Sequence, residues 1–246
     1  MEVKSDCRVN EEFALRRRAS MTPPHWADEL IRPWDADRFR RIEPFITSTY
    51  WSDSDSINVH LIVGTQHPDY RGKSWRWFLE GGKRMDLNLA LHRDNPDYYL
   101  DTKRKRPAMH FVTLDGNNYY VGDDGNHRSC IAKFAFHYSG LSMLHGVVMT
   151  RHTVDWEFYR RYRALQRLVK SHGVAAIFTA TSNHVGRRDT GGWKIDLYQP
   201  SILYTNLDSG KEETLDRGRA GALIESLRSA HDDSRRRWWN PRRKSP

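Results

Sequence analysis

VGDDGNHRSCIAKFAF, residues 121–136, sets a run of small polar residues between a Tyr-Tyr-Val segment and an apolar, helix-like segment. Upstream, AMHFVTLDGNNYYVGDD holds two β-rich stretches around Asp115-Gly116-Asn117-Asn118. Asp-Gly suits a tight turn that needs positive φ, so the reading is a β-hairpin. Downstream, HRSCIAKFAFHYSG puts Ile131, Phe134, Ala135 and Tyr138 on one helical face and stops at Gly140. Strand, glycine-containing turn and helix start, in that order, point unpaired backbone N–H groups and the positive end of a helix dipole at whatever lies beside the turn. It is an anion site in outline, running from Gly125 to Ser129. Gly125 lets the backbone approach a phosphate, while Asn126, His127 and Arg128 supply donors. Arg128 can grip a phosphate through two N–H groups at once, and His127 beside a helix N-terminus tends toward its neutral form. Asp123 and Asp124 could hold a divalent ion bridging to the same phosphates. The plain alternative is an Asp/Asn helix cap with a surface His and Arg.

The rest of the 246-residue chain bounds this reading. The formal charge of +9, from 40 Lys+Arg against 31 Asp+Glu, favours a polyanionic partner. Cys7 and Cys130 are the only cysteines, which excludes a disulfide scaffold or a four-Cys zinc site and sets the expectation of a reducing, cytoplasmic compartment. No stretch has the length and apolarity of a signal peptide or a bilayer span, so no membrane insertion is expected. Residues 1–45 read as a peripheral helical extension broken by prolines. Residues 46–231 read as the core, and 232–246 as a basic tail too polar to order itself. Within the core, residues 57–64 alternate as a buried strand, SWRWFLEGG reads as a short helix, and MDLNLALHRD reads as a helix ending before Pro96. MLHGVVMTRHT is a strand, and Asp155 caps a helix whose apolar stripe is Phe158, Tyr162, Leu165 and Val169. WKIDLYQPSILYTN reads as a strand region interrupted by Pro200, before a final helix. The fold class expected is α+β.

Gly125-Asn126-His127-Arg128 after a hairpin resembles the ParB/sulfiredoxin superfamily, in which a Gly-x-x-Arg turn at a helix N-terminus holds nucleotide phosphates. WFLEGG is similar to the short helix ending in an acidic residue and glycine that precedes the hairpin in ParB proteins, and it aligns Glu80 with the acidic position. The resemblance covers about residues 57–154 and implies a small mixed sheet flanked by helices, with N- and C-terminal helical additions. Asn126 stands where sulfiredoxins carry their nucleophilic Cys, which argues against sulfinic-acid repair. No helix-turn-helix pair follows, unlike the centromere-binding ParB proteins. The free-standing basic branch, including the Osa-type fertility-inhibition proteins of conjugative plasmids, is the most similar. It implies ATP and Mg2+ as cofactors, DNA and conjugative-transfer components as partners, and ATPase and DNA nuclease activities. On that footing His127, Arg128, Glu80 and Asp124 are the catalytic candidates, with Glu80 as base.

Three basic clusters are candidate DNA contacts: Lys103, Arg104, Lys105 and Arg106 before the hairpin; Arg160, Arg163, Arg167 and Lys170 along one helix; and Arg235, Arg236 and Arg237 with Trp238 and Trp239, whose rings can stack on bases. None suits reading of base edges, so little sequence specificity is expected. RGKS at residues 71–74 lacks the upstream glycine of a P-loop. A non-catalytic nucleotide-gated DNA-binding regulator and a small-molecule kinase remain the alternatives.

Overall fold

The computed structural model describes residues 14–239, with side chains described as far as residue 230. In chain order the helices are α1 (Ala14–Met21), α2 (Ala36–Ile42), α3 (Trp75–Gly81), α4 (Met85–Asp94), α5 (Asp97–Leu100), α6 (Asn126–Ser139), α7 (Trp156–His172) and α8 (Arg217–Trp239). The strands are β1 (Arg32–Pro33), β2 (Ile46–Asn58), β3 (Ile62–Thr65), β4 (His110–Thr113), β5 (Tyr119–Val121), β6 (Met143–Val154), β7 (Ala176–Thr190), β8 (Trp193–Asn206) and β9 (Glu212–Leu215). The class is mixed α+β. No helix among the described residues is long and apolar enough to cross a membrane.

The described chain forms two compact units that interleave in sequence, one from residues 14–35, 49–152 and 188–195, the other from 36–48, 153–187 and 196–239. In the first unit the strand order is β1-β3-β5-β4-β6-β2. β3 runs parallel to β1 and β5, β4 and β5 form the antiparallel hairpin, and β6 runs parallel to β4. Asp115 shapes the hairpin turn by accepting the N–H groups of Asn117 and Asn118 on one carboxylate oxygen, each at 2.9 Å, while Gly116 takes a positive φ. α6 packs its Ile131 and Phe134 into a core shared with Phe111 of β4, Met149 of β6, and Phe78 and Leu79 of α3.

Inside that core lies a lysine. Lys133 on α6 is 3 % exposed, and its ammonium donates to the Ile62 carbonyl at 2.9 Å, with the Val59 and His60 carbonyls at 3.5 Å. The indole rings of Trp26 and Trp75 face it at 4.7 and 4.9 Å, close enough for cation–π attraction. Burial pulls its pKa down to about 8, against the raising influence of Cys130 and Glu29. The acceptors belong to a 3-10 turn, Val59–Leu61, and the residue after it, and this turn interrupts the strand expected over 57–64. Asn58 starts that turn by accepting the His60 N–H on its side chain.

Two other expectations change in this unit. The N-terminal segment is not peripheral, since Ala19, Trp26, Ala27 and Ile31 are core residues and Trp26 packs on Phe134 at 4.7 Å. The strand expected from Ile57 also begins earlier, at Ile46, because β2 carries its half-buried positions on Thr, Tyr and Ser as well.

In the second unit, Phe45 is fully buried and meets Phe158, Tyr159 and Tyr162 of α7 at 5.3–5.5 Å. Asp155 caps α7 as expected, accepting the Phe158 N–H at 2.9 Å. β8 continues through Pro200 rather than breaking there, because proline's fixed φ suits an extended chain and costs only a donor. Pairing with β9 then runs from Ile202 to Thr205. β7, unanticipated because its sequence is polar, is mostly exposed. α8 extends to Trp239, so the basic segment 232–239 is helical where composition suggests disorder; a helix already nucleated over Arg217–Ala230 propagates at little cost through Arg and Trp. Arg242, Arg243 and the rest of 240–246 lie outside the described residues.

Lys133→Met leaves the Ile62 carbonyl buried without its donor, and should lower the unfolding free energy by about 1–3 kcal/mol in urea titrations. The folded protein releases the Lys133 proton at about 8 and the unfolded chain at 10.5, so the unfolded state holds more protons between those values. Stability contributed by Lys133 should therefore grow as pH rises through that window and stay level below it. The gap between wild type and Lys133→Met, measured across the window, checks the sign.

Candidate phosphate-binding turn

β5 ends at Val121, and four residues later Gly125 begins α6 with φ +110°. A side chain at Gly125 would also meet Met109, whose Cα lies 3.1 Å from the ideal Cβ position. Both facts reserve the position for glycine. No side chain caps α6. The Ser129 N–H makes the first helical bond, to Gly125 O at 2.7 Å, and the Gly125 N–H is held by its neighbour Asp124 at 2.7 Å. The N–H groups of Asn126, His127 and Arg128 are the orphan donors that every helix start leaves.

The side chains of the turn divide differently from the sequence-based expectation. Asn126 is buried and turned inward, accepting the Thr65 hydroxyl at 2.6 Å; Thr65 in turn accepts the His67 N–H at 2.9 Å. Ser129 is fully buried, with its hydroxyl unpartnered among the described residues. Neither side chain reaches outward, so any ligand contact from these two is limited to backbone.

His127 donates from Nε2 to the Lys83 carbonyl at 2.5 Å, which fixes its tautomer and leaves Nδ1 as an acceptor. Its ring packs against Phe78 and Tyr70 at 5.1 and 5.4 Å. Burial lowers its pKa, the Lys83 bond opposes this, and the charges of Arg128, Arg84 and His67 lower it further. The imidazole is neutral at pH 7, as expected for a ring at a helix start.

Arg128 is committed internally. One guanidinium nitrogen donates to the Tyr98 hydroxyl (2.8 Å) and the Pro107 carbonyl (2.7 Å), the other to Asp124 (2.6 Å). Burial opposes its charge, but the bond to Asp124 and the proximity of Tyr98 outweigh that and hold it protonated more firmly than usual. Instead of a side chain free to wrap a phosphate, the structure has a brace between the turn and α5.

The acidic candidates are scattered. Asp124 is occupied by Arg128 and by Gly125 N–H, while Asp123 projects into solvent with a carboxylate oxygen 3.7 Å from His110 Nδ1. Glu80 is exposed in the last turn of α3. Among the described residues no group of three or more His, Cys, Asp or Glu side chains converges as a metal site. Cys130 is buried and bonded to the Trp75 carbonyl at 3.6 Å.

In the first basic cluster, Lys103 and Arg106 are exposed and Arg104 pairs with Asp53 at 2.6 Å. Lys105 is buried, its ammonium 2.6 Å from the Asp101 carbonyl and its N–H bonded to Gly146 O, so it is withdrawn from any DNA surface. Along α7, Arg160, Arg163, Arg167 and Lys170 are all exposed. Arg235, Arg236, Arg237, Trp238 and Trp239 belong to α8, with side chains outside the description.

Sequence spacing gives no sign of Thr65 and His67, at the end of β3, or of Arg84, before α4, which act on the turn from outside its own segment. Tyr98 alone has a local cue, lying between α4 and the basic run. Set beside known protein families, curated proteins and solved structures, the chain shows no significant match to any.

Because Arg128 donates to the half-buried Tyr98 hydroxyl, the Pro107 carbonyl and the exposed Asp124, Arg128→Ala should cost about 1–2 kcal/mol of stability, mostly from the lost bonds at Tyr98 and Pro107. A melting temperature unchanged from wild type would show the brace to be unimportant.

Proposed function

We propose that the first turn of α6 binds the phosphates of a nucleoside triphosphate, in a ParB/sulfiredoxin-like core, and that the protein uses the nucleotide to act on or along DNA. The observation that carries the reading is the turn itself: Gly125 at positive φ after the β4–β5 hairpin, three orphan N–H groups, and the positive charge of Arg84 near His127. ATP with Mg2+ is the nucleotide form expected from the resemblance, with Asp123, the carboxylate of the pair that Arg128 does not hold, offered to the metal. Hydrolysis would draw on the N–H groups for charge stabilisation and on the acceptor Nδ1 of His127 for the proton of attacking water. Glu80, exposed in α3, is the alternative base. The basic row on α7 supports a non-specific DNA contact, and interference with conjugative DNA transfer is the biological setting that fits both. Binding without turnover makes the protein a nucleotide-gated DNA regulator instead.

Titration with labelled nucleoside triphosphates and Mg2+ should show saturable binding, and Arg84→Glu should weaken it by about tenfold or more. Absence of binding by every triphosphate rejects the site. For DNA, replacing Arg160, Arg163, Arg167 and Lys170 together by Ala should reduce the slope of log affinity against log salt by about 0.7–0.9 for each phosphate that the variant no longer neutralises. An unaltered slope removes α7 from the interface.

A further inference from the structure

Arg128 also closes one wall of a cavity of about 230 Å³ in the first unit, between α4, α5 and the loop at Arg106-Pro107. Its lining includes Leu91, His92, Asn95, Tyr98, Tyr99 and Arg106. The aromatic part is preformed: Tyr98 and Tyr99 meet edge to face at 5.0 Å, and Tyr99 meets the His92 ring at 4.9 Å. Leu91, 58 % exposed, stands at the rim.

The polar groups of the lining fall into two sets. Tyr98 and Arg128 satisfy each other, Tyr98 also donating to Pro107 O at 2.7 Å and Arg128 also pairing with Asp124. By contrast, the side chains of His92, Asn95 and Arg106 have no hydrogen-bond or ion-pair partner among the described residues. His92 is half-buried, and burial lowers its pKa, so its ring presents one donor and one acceptor. The half-buried His92 ring and the exposed Asn95 and Arg106 side chains line the same cavity as Tyr98 and Tyr99, so a ligand seated there meets an imidazole, an amide and a guanidinium at once. Arg128 is neutralised by Asp124, which leaves Arg106 as the unpaired charge.

We propose that this cavity binds a small planar aromatic or heteroaromatic ring carrying one anionic group, a carboxylate or a phosphate ester. The ring packs on Tyr98, Tyr99 and Leu91, its edge meets His92 and Asn95, and the acid pairs with Arg106. The volume lies below the roughly 300–1,000 Å³ of pockets that hold drug-sized ligands, which selects a single ring system with one small substituent over a whole nucleoside triphosphate. This site is independent of the phosphate reading of the α6 turn, although Arg128 borders both.

Saturation-transfer NMR on the full chain, with benzoate, phenyl phosphate and neutral benzamide at millimolar concentration, tests the proposal. At least one of the two anions should receive saturation, and the stronger of them distinguishes carboxylate from phosphate ester. Benzamide should bind more weakly, and Arg106→Ala should weaken the anion by about tenfold, the loss of one charge-assisted bond. Leu91→Trp should fill the cavity and abolish the signal while leaving triphosphate titrations unchanged. Should that variant fail to fold, the exposed Asn95→Ala serves in its place and should weaken binding. No transfer to either anion, equal binding of benzamide, or binding unaffected by the folded cavity variant would overturn it. Transfer to benzoate or phenyl phosphate, and its loss in Arg106→Ala, is read whether or not a triphosphate binds the α6 turn.

Discussion

One buried ammonium holds the first unit together. Lys133 takes the carbonyls of the Val59–Leu61 turn and of Ile62 from one side and the faces of Trp26 and Trp75 from two others. Four segments far apart in sequence therefore meet at one atom. Burying a charge is costly unless its donors are used, and here carbonyl oxygens and indole faces together replace the water it gives up. Because Lys133 lies on α6, the same tie fixes the helix whose first turn is the candidate site. The interruption between β2 and β3 follows from it too, since a regular strand would carry those carbonyls into ladder bonds.

The turn shows how a motif can be positioned correctly while its side chains take other work. Gly125 and the helix start lie where an anion site needs them, and the backbone donors remain available. Asn126 and Arg128 are drawn instead into supporting contacts, with Thr65 on one side and Tyr98, Pro107 and Asp124 on the other. Such supporting contacts hold backbone N–H groups in place without competing with a ligand for them. The phosphate contact proposed for this turn is therefore one of main chain and field, which the inward turn of Asn126 and the internal commitment of Arg128 leave intact.

Local signals are legible in the sequence. Asp115-Gly116 marks the hairpin, Gly140 and Gly173 close α6 and α7, and Asp155 caps α7. Features that depend on distant partners are not. β2 and β7 are rich in Ser, Thr and Asp, and their strand state comes from neighbours in the sheet rather than from apolar alternation. Trp26 and Ile31 sit in a proline-flanked stretch that reads as periphery, yet both belong to the core, where Trp26 meets Phe134 and Lys133. Lys105 looks like any member of a basic run until the Asp101 carbonyl and Gly146 place it inside. The cavity beside Tyr98 and Tyr99 is equally hidden, since its lining comes from separate pieces of chain.

Trp26 reaches Lys133 across a separation of more than a hundred residues, and that distance has a consequence for how the domain assembles. Closing so long a loop costs conformational entropy that only the finished core repays. The α6 helix can form early from its own sequence, but its lysine stays hydrated until the N-terminal segment arrives to roof it. A shortened chain starting after Ile31 would retain every residue of the Gly125–Ser129 motif and still lack the lid over the charge beneath it, so the N-terminal segment is part of the unit that carries the turn.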